Sequence, residues 1–216
     1  MTSAPKTTSR THQDPQRPEA RPPRRHGANL TRAIYLATLA ELAETSFEEL
    51  SFDKIAARAG AGKASLYRRW NTPAELVLQA LTDPCAGYAD IVHPHTGSVR
   101  DDLTAVLTDF ARVLDEPHGQ ALRPLMTQRP RHPDLYNQVH QLVVQERLDI
   151  LLSVLQAGAE RGEVDPAAVT PQIAAVGQRL VSAEHMERGT ITDRDIDSIV
   201  THVLMPLLAP RDSRKG

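Results

Sequence analysis

The chain has 216 residues, 40% of them hydrophobic and 24% charged, enough for one ordinary domain or two small ones with a real core. Collagen, a large multidomain enzyme and a wholly disordered chain are excluded. Sixteen prolines stand against eleven glycines, but five of the prolines fall within the first 23 residues, so the excess belongs to a tail.

The single cysteine, Cys85, can neither close an internal disulfide nor supply a Cys-based zinc site, which suits a reducing compartment. No run approaches the roughly 18–20 apolar residues that span a bilayer. Arg24-Arg25 ahead of Ala33–Ala40 has the opening of a twin-arginine export signal, yet Arg32 and Glu41 interrupt that stretch and no small-residue cleavage site follows. The expectation is a soluble, cytoplasmic protein with no membrane partner.

A formal net charge of −2 hides a division. Residues 1–76 hold 12 Lys+Arg against 8 Asp+Glu, and residues 77–216 hold 13 against 19. A polyanion would therefore meet the front of the molecule. Residues 1–27 combine six basic side chains and five prolines with no leucine, isoleucine, valine or aromatic residue. Such a segment cannot offset its ordering entropy and is expected to be a disordered basic arm, able to settle on DNA phosphates or in a minor groove.

From Leu30 onward the pattern is helical, with no period-2 stretch of useful length and no Asn-Gly or Asp-Gly hairpin signal. A first helix is predicted from Leu30 to Thr45, with Tyr35, Leu39 and Leu42 on one stripe. A second starts after the cap Ser51 and ends at Gly60, and a third runs from Lys63 to Trp70. The fourth opens on Thr72-Pro73-Ala74-Glu75, an N-cap, a first-turn proline and a glutamate placed for a capping box. A fifth has Ser98 and Asp101 as cap and box, and a sixth spans His118 to Gln128. The seventh, from Pro133 to Arg161, is apolar on more than one side and should be central. The last two begin after Thr170-Pro171 and Thr192. The fold class is therefore all-α, about nine helices.

Chemistry concentrates in Ser51–Trp70, SFDKIAARAGAGKASLYRRW. Two short helices joined by Gly60-Ala61-Gly62, the second carrying Lys63, Ser65, Tyr67, Arg68 and Arg69, are the parts of a helix-turn-helix. Ile55, Ala59 and Leu66 can fill its small interface while the second helix enters a major groove about 12 Å wide. A phosphate loop at Gly62-Lys63 fails, because Ala57 stands where a glycine is needed, no Ser or Thr follows Lys63 and no strand precedes it. Trp70 reads as a core aromatic, and Tyr67 as either core or surface.

Nine histidines, among them His93, His95, His118 and His132, fall on loops or different helices without metal-ligand spacing, so neither metal nor cofactor is expected. No nucleophile motif appears and Cys85 lacks a base nearby in sequence, so no catalytic residue is assigned.

The segment Ile34–Leu76 resembles the DNA-binding domain of the tetracycline-repressor (TetR) family of bacterial transcriptional regulators. The likeness is carried by Ile55-Ala56-Ala57-Arg58-Ala59-Gly60 and by Leu66-Tyr67-Arg68-Arg69-Trp70. It implies an arm at 1–27, a helix-turn-helix domain at 28–72, a helical ligand-binding and dimerisation domain at 73–210 and a tail at 211–216. It further implies that Tyr67 and Arg69 contact phosphates, that Lys63, Ala64, Ser65 and Arg68 lie nearest base edges, and that Ser51 caps its helix near a phosphate. Three positions depart from the family pattern: Ser46 replaces a glycine, Gly62 a hydroxyl residue, and Pro73 a phosphate-binding lysine, a loss that the basic arm could compensate.

By the same resemblance the protein is a homodimer on a pseudo-palindromic double-stranded operator, a repressor released by a small-molecule effector. Candidate pocket residues are Phe110, Leu114, Leu122, Met126, Tyr136, Val139, His140 and Val143. Candidate interface residues are Ile173, Val176, Leu180 and Val181, with Ile196, Ile199, Val200, Val203 and Leu204. The alternative is a helical small-molecule-binding or enzymatic domain whose front binds a protein partner.

Overall fold

Helix starts follow from short polar side chains. In the computed structural model, which describes residues 27–87 and 93–210, Ser51, Thr72, Ser98, Thr170 and Thr192 each accept the backbone N–H three residues on, at 3.2–3.3 Å. Each satisfies one of the donors a helix start leaves open. The helices that result are α1 (Ala28–Glu44), α2 (Phe52–Ala59), α3 (Lys63–Tyr67), α4 (Pro73–Thr82), α5 (Val99–Asp115) and α6 (Pro117–Met126). Then come α7 (Pro133–Val139, π-helical over His140–Gln145, α-helical again over Glu146–Glu160), α8 (Pro171–Arg188) and α9 (Asp193–Ile199, π-helical over Val200–Leu204, ending in Met205–Leu208). No strand occurs among the described residues. The predicted arm up to residue 26, and the predicted tail 211–216, lie outside them.

Several local expectations are revised. Glu75 does not close a box on Thr72; its carboxylate accepts the Asn71 backbone N–H at 2.9 Å and the Asn71 amide at 3.2 Å. The Ser98 N–H goes to the Thr96 hydroxyl at 3.2 Å instead of to Asp101. The α3 rod stops at Tyr67 rather than Trp70. Pro73 disfavours helical geometry at Thr72, which is extended at φ −140°, ψ 153°, so the chain must leave the helix beforehand.

In α9 the widened turn at Val200–Leu204 sits just before Pro206, whose ring lacks an N–H and crowds the carbonyl four residues back. The widening in α7 has a packing consequence. Ahead of it Leu135 and Val139, and within it Val143, face one core; after it Ile150, Leu151, Val154 and Leu155 face another. A five-residue turn re-phases the helix so that one rod serves both.

The first core joins Ile34, Leu39 and Leu42 of α1, Ile55 of α2, Leu66 of α3 and Leu76 and Leu81 of α4 to Leu122 and Leu125 of α6 and the start of α7. The second is built from α5, the end of α7, α8 and α9. The front three helices thus have no separate core; α1 packs along α6 as well as α2 and α4. A polar latch reinforces the contact, with Arg131 and Gln128 donating to Glu48 at 2.9 and 3.3 Å and the Phe47 and His132 rings 5.1 Å apart.

Candidate nucleic-acid interface

Gly60 ends α2 in the left-handed region at φ 63°, ψ 30°, where a Cβ would be strained, and this turns the chain toward α3. Gly62 has an ordinary φ of −73°, so only the first glycine of the predicted turn supplies unusual backbone. Ile55 and Leu66 are fully buried against each other's helices, and Ala59 closes the interface.

Around buried Leu66 the short rod turns Lys63, Ala64 and Tyr67 outward, with Arg68 and Arg69 exposed just beyond its end and Ser65 half-buried. Tyr67 is 63% exposed, its ring set edge-on against Phe52 at 4.9 Å, so the aromatic body is anchored while the phenol stays in solvent. Arg69 donates to Thr31 Oγ1 at 2.7 Å, next to the start of α1. Trp70, 3% exposed, is the core aromatic expected; its indole N–H donates to Gln79 at 2.7 Å, the same oxygen that accepts from the Tyr35 hydroxyl at 3.3 Å. Ser51 caps α2 as predicted.

Two ion-pair systems organise this surface, and neither is visible in sequence spacing. Arg58 of α2 donates to Glu41 at 2.9 Å and chelates both oxygens of Glu44, stapling α2 to α1. Glu44 in turn lies below the usual carboxylate range because of that guanidinium. Lys63 is paired with Asp53 at 2.7 Å, both partners more than half exposed. Any phosphate or base that takes Lys63 must displace Asp53. Such an exposed pair is worth at most about 1 kcal/mol, so Asp53→Asn should tighten duplex binding a few-fold, more at low salt than at high. Titrations at several salt concentrations check this, and weaker binding by the variant would contradict it.

Of the eight candidate pocket residues, Leu122, Val139 and Val143 lie in the first core and Phe110 in the second. Met126 and Leu114 pack against these cores, and Tyr136 and His140 form a half-buried ring pair 5.8 Å apart. None lines the cleft of about 280 Å³ bounded by Leu36 and Leu39 of α1, the turn Pro84–Gly87, the end of α5, the start of α6 and Arg147 of α7. Polar groups crowd its wall. Asp109 accepts from Arg112 at 2.7 Å and lies 3.5 Å from the buried Arg147, while Glu116 pairs with Arg112 and approaches His118 at 3.4 Å. Burial pushes the His118 imidazole below its ordinary value, the nearby Glu116 opposing.

Of the candidate interface residues, Val181, Ile196, Ile199, Val200 and Leu204 are buried in the protomer's own second core. Ile173, Val176, Leu180 and Val203 keep partial exposure, and Met186 and Leu207, not predicted, are 74% and 48% exposed. Periodicity marks an apolar stripe but not which part of it closes the monomer.

Among the described residues, no helix is long and apolar enough to cross a membrane. Residues 34–80 match the family model for bacterial regulatory proteins of the tetR family, and residues 93–203 match that for the tetracyclin repressor-like C-terminal domain. An uncharacterized HTH-type transcriptional regulator of Mycobacterium tuberculosis is 30% identical over 176 residues, covering 81% of this chain and 86% of the relative. The DNA-binding transcriptional repressor TetR of Mycobacteroides abscessus is 27% identical over 189 residues, covering 85% and 96%. In three dimensions the flavonoid-responsive regulator FrrA superposes with a TM-score of 0.63 at 16% identity, covering 86% of this chain and all of that one. Helix order, turn geometry and both halves of the sequence agree: the chain belongs to the TetR family of DNA-binding transcriptional regulators.

Proposed function

We propose that the protein is a homodimeric repressor acting in the bacterial cytoplasm, a DNA-binding switch rather than an enzyme, released from a pseudo-palindromic operator when its helical body takes up a small molecule. The observation that carries this reading is the outward set Lys63, Ala64, Tyr67, Arg68 and Arg69 mounted on fully buried Leu66, in a head that shares its core with α6 and α7 of the body.

Tyr67 and Arg69 bind phosphates and set the docking register. Lys63, Ala64, Ser65 and Arg68 face base edges, and Ser51 offers its helix start to a phosphate. Residues 1–27, basic in sequence, add phosphate contacts. Two heads about 34 Å apart reach successive major grooves, which requires a twin. The accessible stripe of Ile173, Val176, Leu180 and Met186 on α8, with Val203 and Leu207 on α9, is the surface we assign to it. Effector binding weakens DNA binding only by its differential affinity for the two head geometries, typically 1–3 kcal/mol. The shared first core is a physical route for that difference.

Selection of duplexes from a random pool, followed by gel shifts on the winner, tests the reading. Arg68→Ala should cost about 1–3 kcal/mol on the selected operator and relax preference at one position per half-site. Arg69→Ala should weaken all duplexes about equally and flatten the salt dependence. Failure of the pool to converge on a two-fold symmetric site would overturn the proposal.

A further inference from the structure

We infer that Thr31 is a positioning residue for DNA binding, its hydroxyl holding the Arg69 guanidinium at the place where a backbone phosphate meets it. This rests on the reading of Arg69 as a phosphate contact of a DNA-binding regulator and names the group that makes the contact effective.

Arg69 needs such help because of where it stands. It lies two residues past the end of α3 at Tyr67, so the rod itself does not aim its side chain. The root of the arginine is fixed. Its N–H and that of Trp70 both donate to the Leu66 carbonyl, at 2.9 and 3.0 Å, and Trp70 is anchored in the core with its indole on Gln79. The tip is a separate matter, since a long side chain left in solvent samples many rotamers that DNA binding would have to freeze. Here the tip is already held. Nη1 donates to Thr31 Oγ1 at 2.7 Å, across 38 positions of chain, and the guanidinium carbon lies 6.0 Å from the centre of the Trp70 ring. The Thr31 hydroxyl proton is aimed at the Gly27 carbonyl, 3.4 Å away, which turns an oxygen lone pair toward the arginine.

The chemistry of the holder matters as much as its place. Lys63, on the same face, is held by the Asp53 carboxylate, which cancels its charge and has to be displaced by DNA. Arg58 is likewise bound to Glu41 and Glu44. Among the described residues no carboxylate lies within ion-pair distance of Arg69, whose side-chain hydrogen bond goes to a neutral hydroxyl. The guanidinium therefore keeps its full attraction for a polyanion. Thr31 also occupies a single N–H of the fork, leaving the others for phosphate oxygens. The aim of Arg69 is thus set from α1, the helix that packs along α6 of the body, and not from the recognition rod.

The test is fluorescence anisotropy with the full chain at several salt concentrations, on the operator selected from the random pool and on an unrelated duplex. Thr31→Val keeps the shape and β-branching of a half-buried side chain but removes the acceptor. It should weaken binding to both duplexes about three- to tenfold, the worth of ordering one long side chain, with an unchanged melting temperature. The slope of affinity against salt should stay that of the parent, because the Arg69 charge is still present, whereas Arg69→Ala should lower that slope by about one. Thr31→Ser, which retains the hydroxyl, should bind as the parent does. With Arg69 already replaced by alanine, adding Thr31→Val should cost nothing more.

Full binding by Thr31→Val, an equal loss in Thr31→Ser, or a further loss when Thr31→Val is added to Arg69→Ala would each overturn the positioning role, the last by showing that Thr31 acts on its own. Failure of the parent to bind any selected duplex strikes the regulator reading instead, whereas indifference to Thr31→Val while the parent binds strikes only this inference.

Discussion

Leu66→Ala should destabilise the DNA-reading head by about 2–5 kcal/mol and abolish operator binding, although Leu66 itself touches no DNA. The side chain is fully buried in the first core, where α3 packs against α2, and α3 is only five residues long. So short a helix cannot hold its shape from backbone hydrogen bonds alone; it exists because Leu66 ties it to the core. Trp70, the single tryptophan, is buried in the same core and reports on it directly. Denaturant unfolding followed by its fluorescence should show an early transition in the variant, while a circular dichroism signal dominated by α5, α7, α8 and α9 unfolds later. A loss below about 1 kcal/mol with full operator binding would show that α3 is held by something other than this side chain.

Gly158→Ala should also destabilise the protein, against the direction helix propensity predicts. Replacing a mid-helix glycine by alanine gains about 1 kcal/mol in an exposed helix. Here the new methyl would stand 2.0 Å from Val99 Cγ2 and 2.9 Å from Val164 Cγ2, both in fully packed side chains. Valine is stiff about χ1, so neither can swing aside, and α7 must move away from the start of α5. Overpacking of this kind costs about 1–3 kcal/mol, and contact this short belongs at the upper end, so the clash wins. Thermal melts of Gly158→Ala, Val99→Ala and the double variant form the test. Each single change should lower the melting temperature, and the double should recover much of the loss because the alanine methyl occupies space that Val99 vacates. A Gly158→Ala protein as stable as the parent would refute the close approach.

The two variants probe the two cores, and the contrast between them bears on how signals travel. Because Leu122 and Leu125 of α6 sit in the same cluster as Ile34 and Leu42 of α1, a change in the body cannot stay local to the body. Packed interiors deform in steps rather than continuously, which is what a switch between two head spacings requires.

Local chemistry made much of this protein readable from its letters. Ser51, Thr72, Ser98, Thr170 and Thr192 announced helix starts because capping acts over three residues, and Gly60 announced the turn because only a residue without Cβ is at ease there. Leu66 read as an interface residue and is fully buried, whereas Tyr67 read as either core or surface until the fold set its ring edge-on against Phe52 and left it exposed. What lay beyond reach involved partners distant along the chain. Arg58 with Glu41 and Glu44, and Asp109 with Arg147, pair across 14–38 positions. The stripes on α8 and α9 had the right period, yet folding spent Val181, Ile196, Ile199, Val200 and Leu204 on the protomer's own interior. The cleft between α1 and Arg147 is walled by segments as far apart as Leu36, Pro84 and His118, which no local pattern brings together. Periodicity says that a face must be covered; which surface covers it depends on how all the helices share a limited volume, and only the assembled fold answers that.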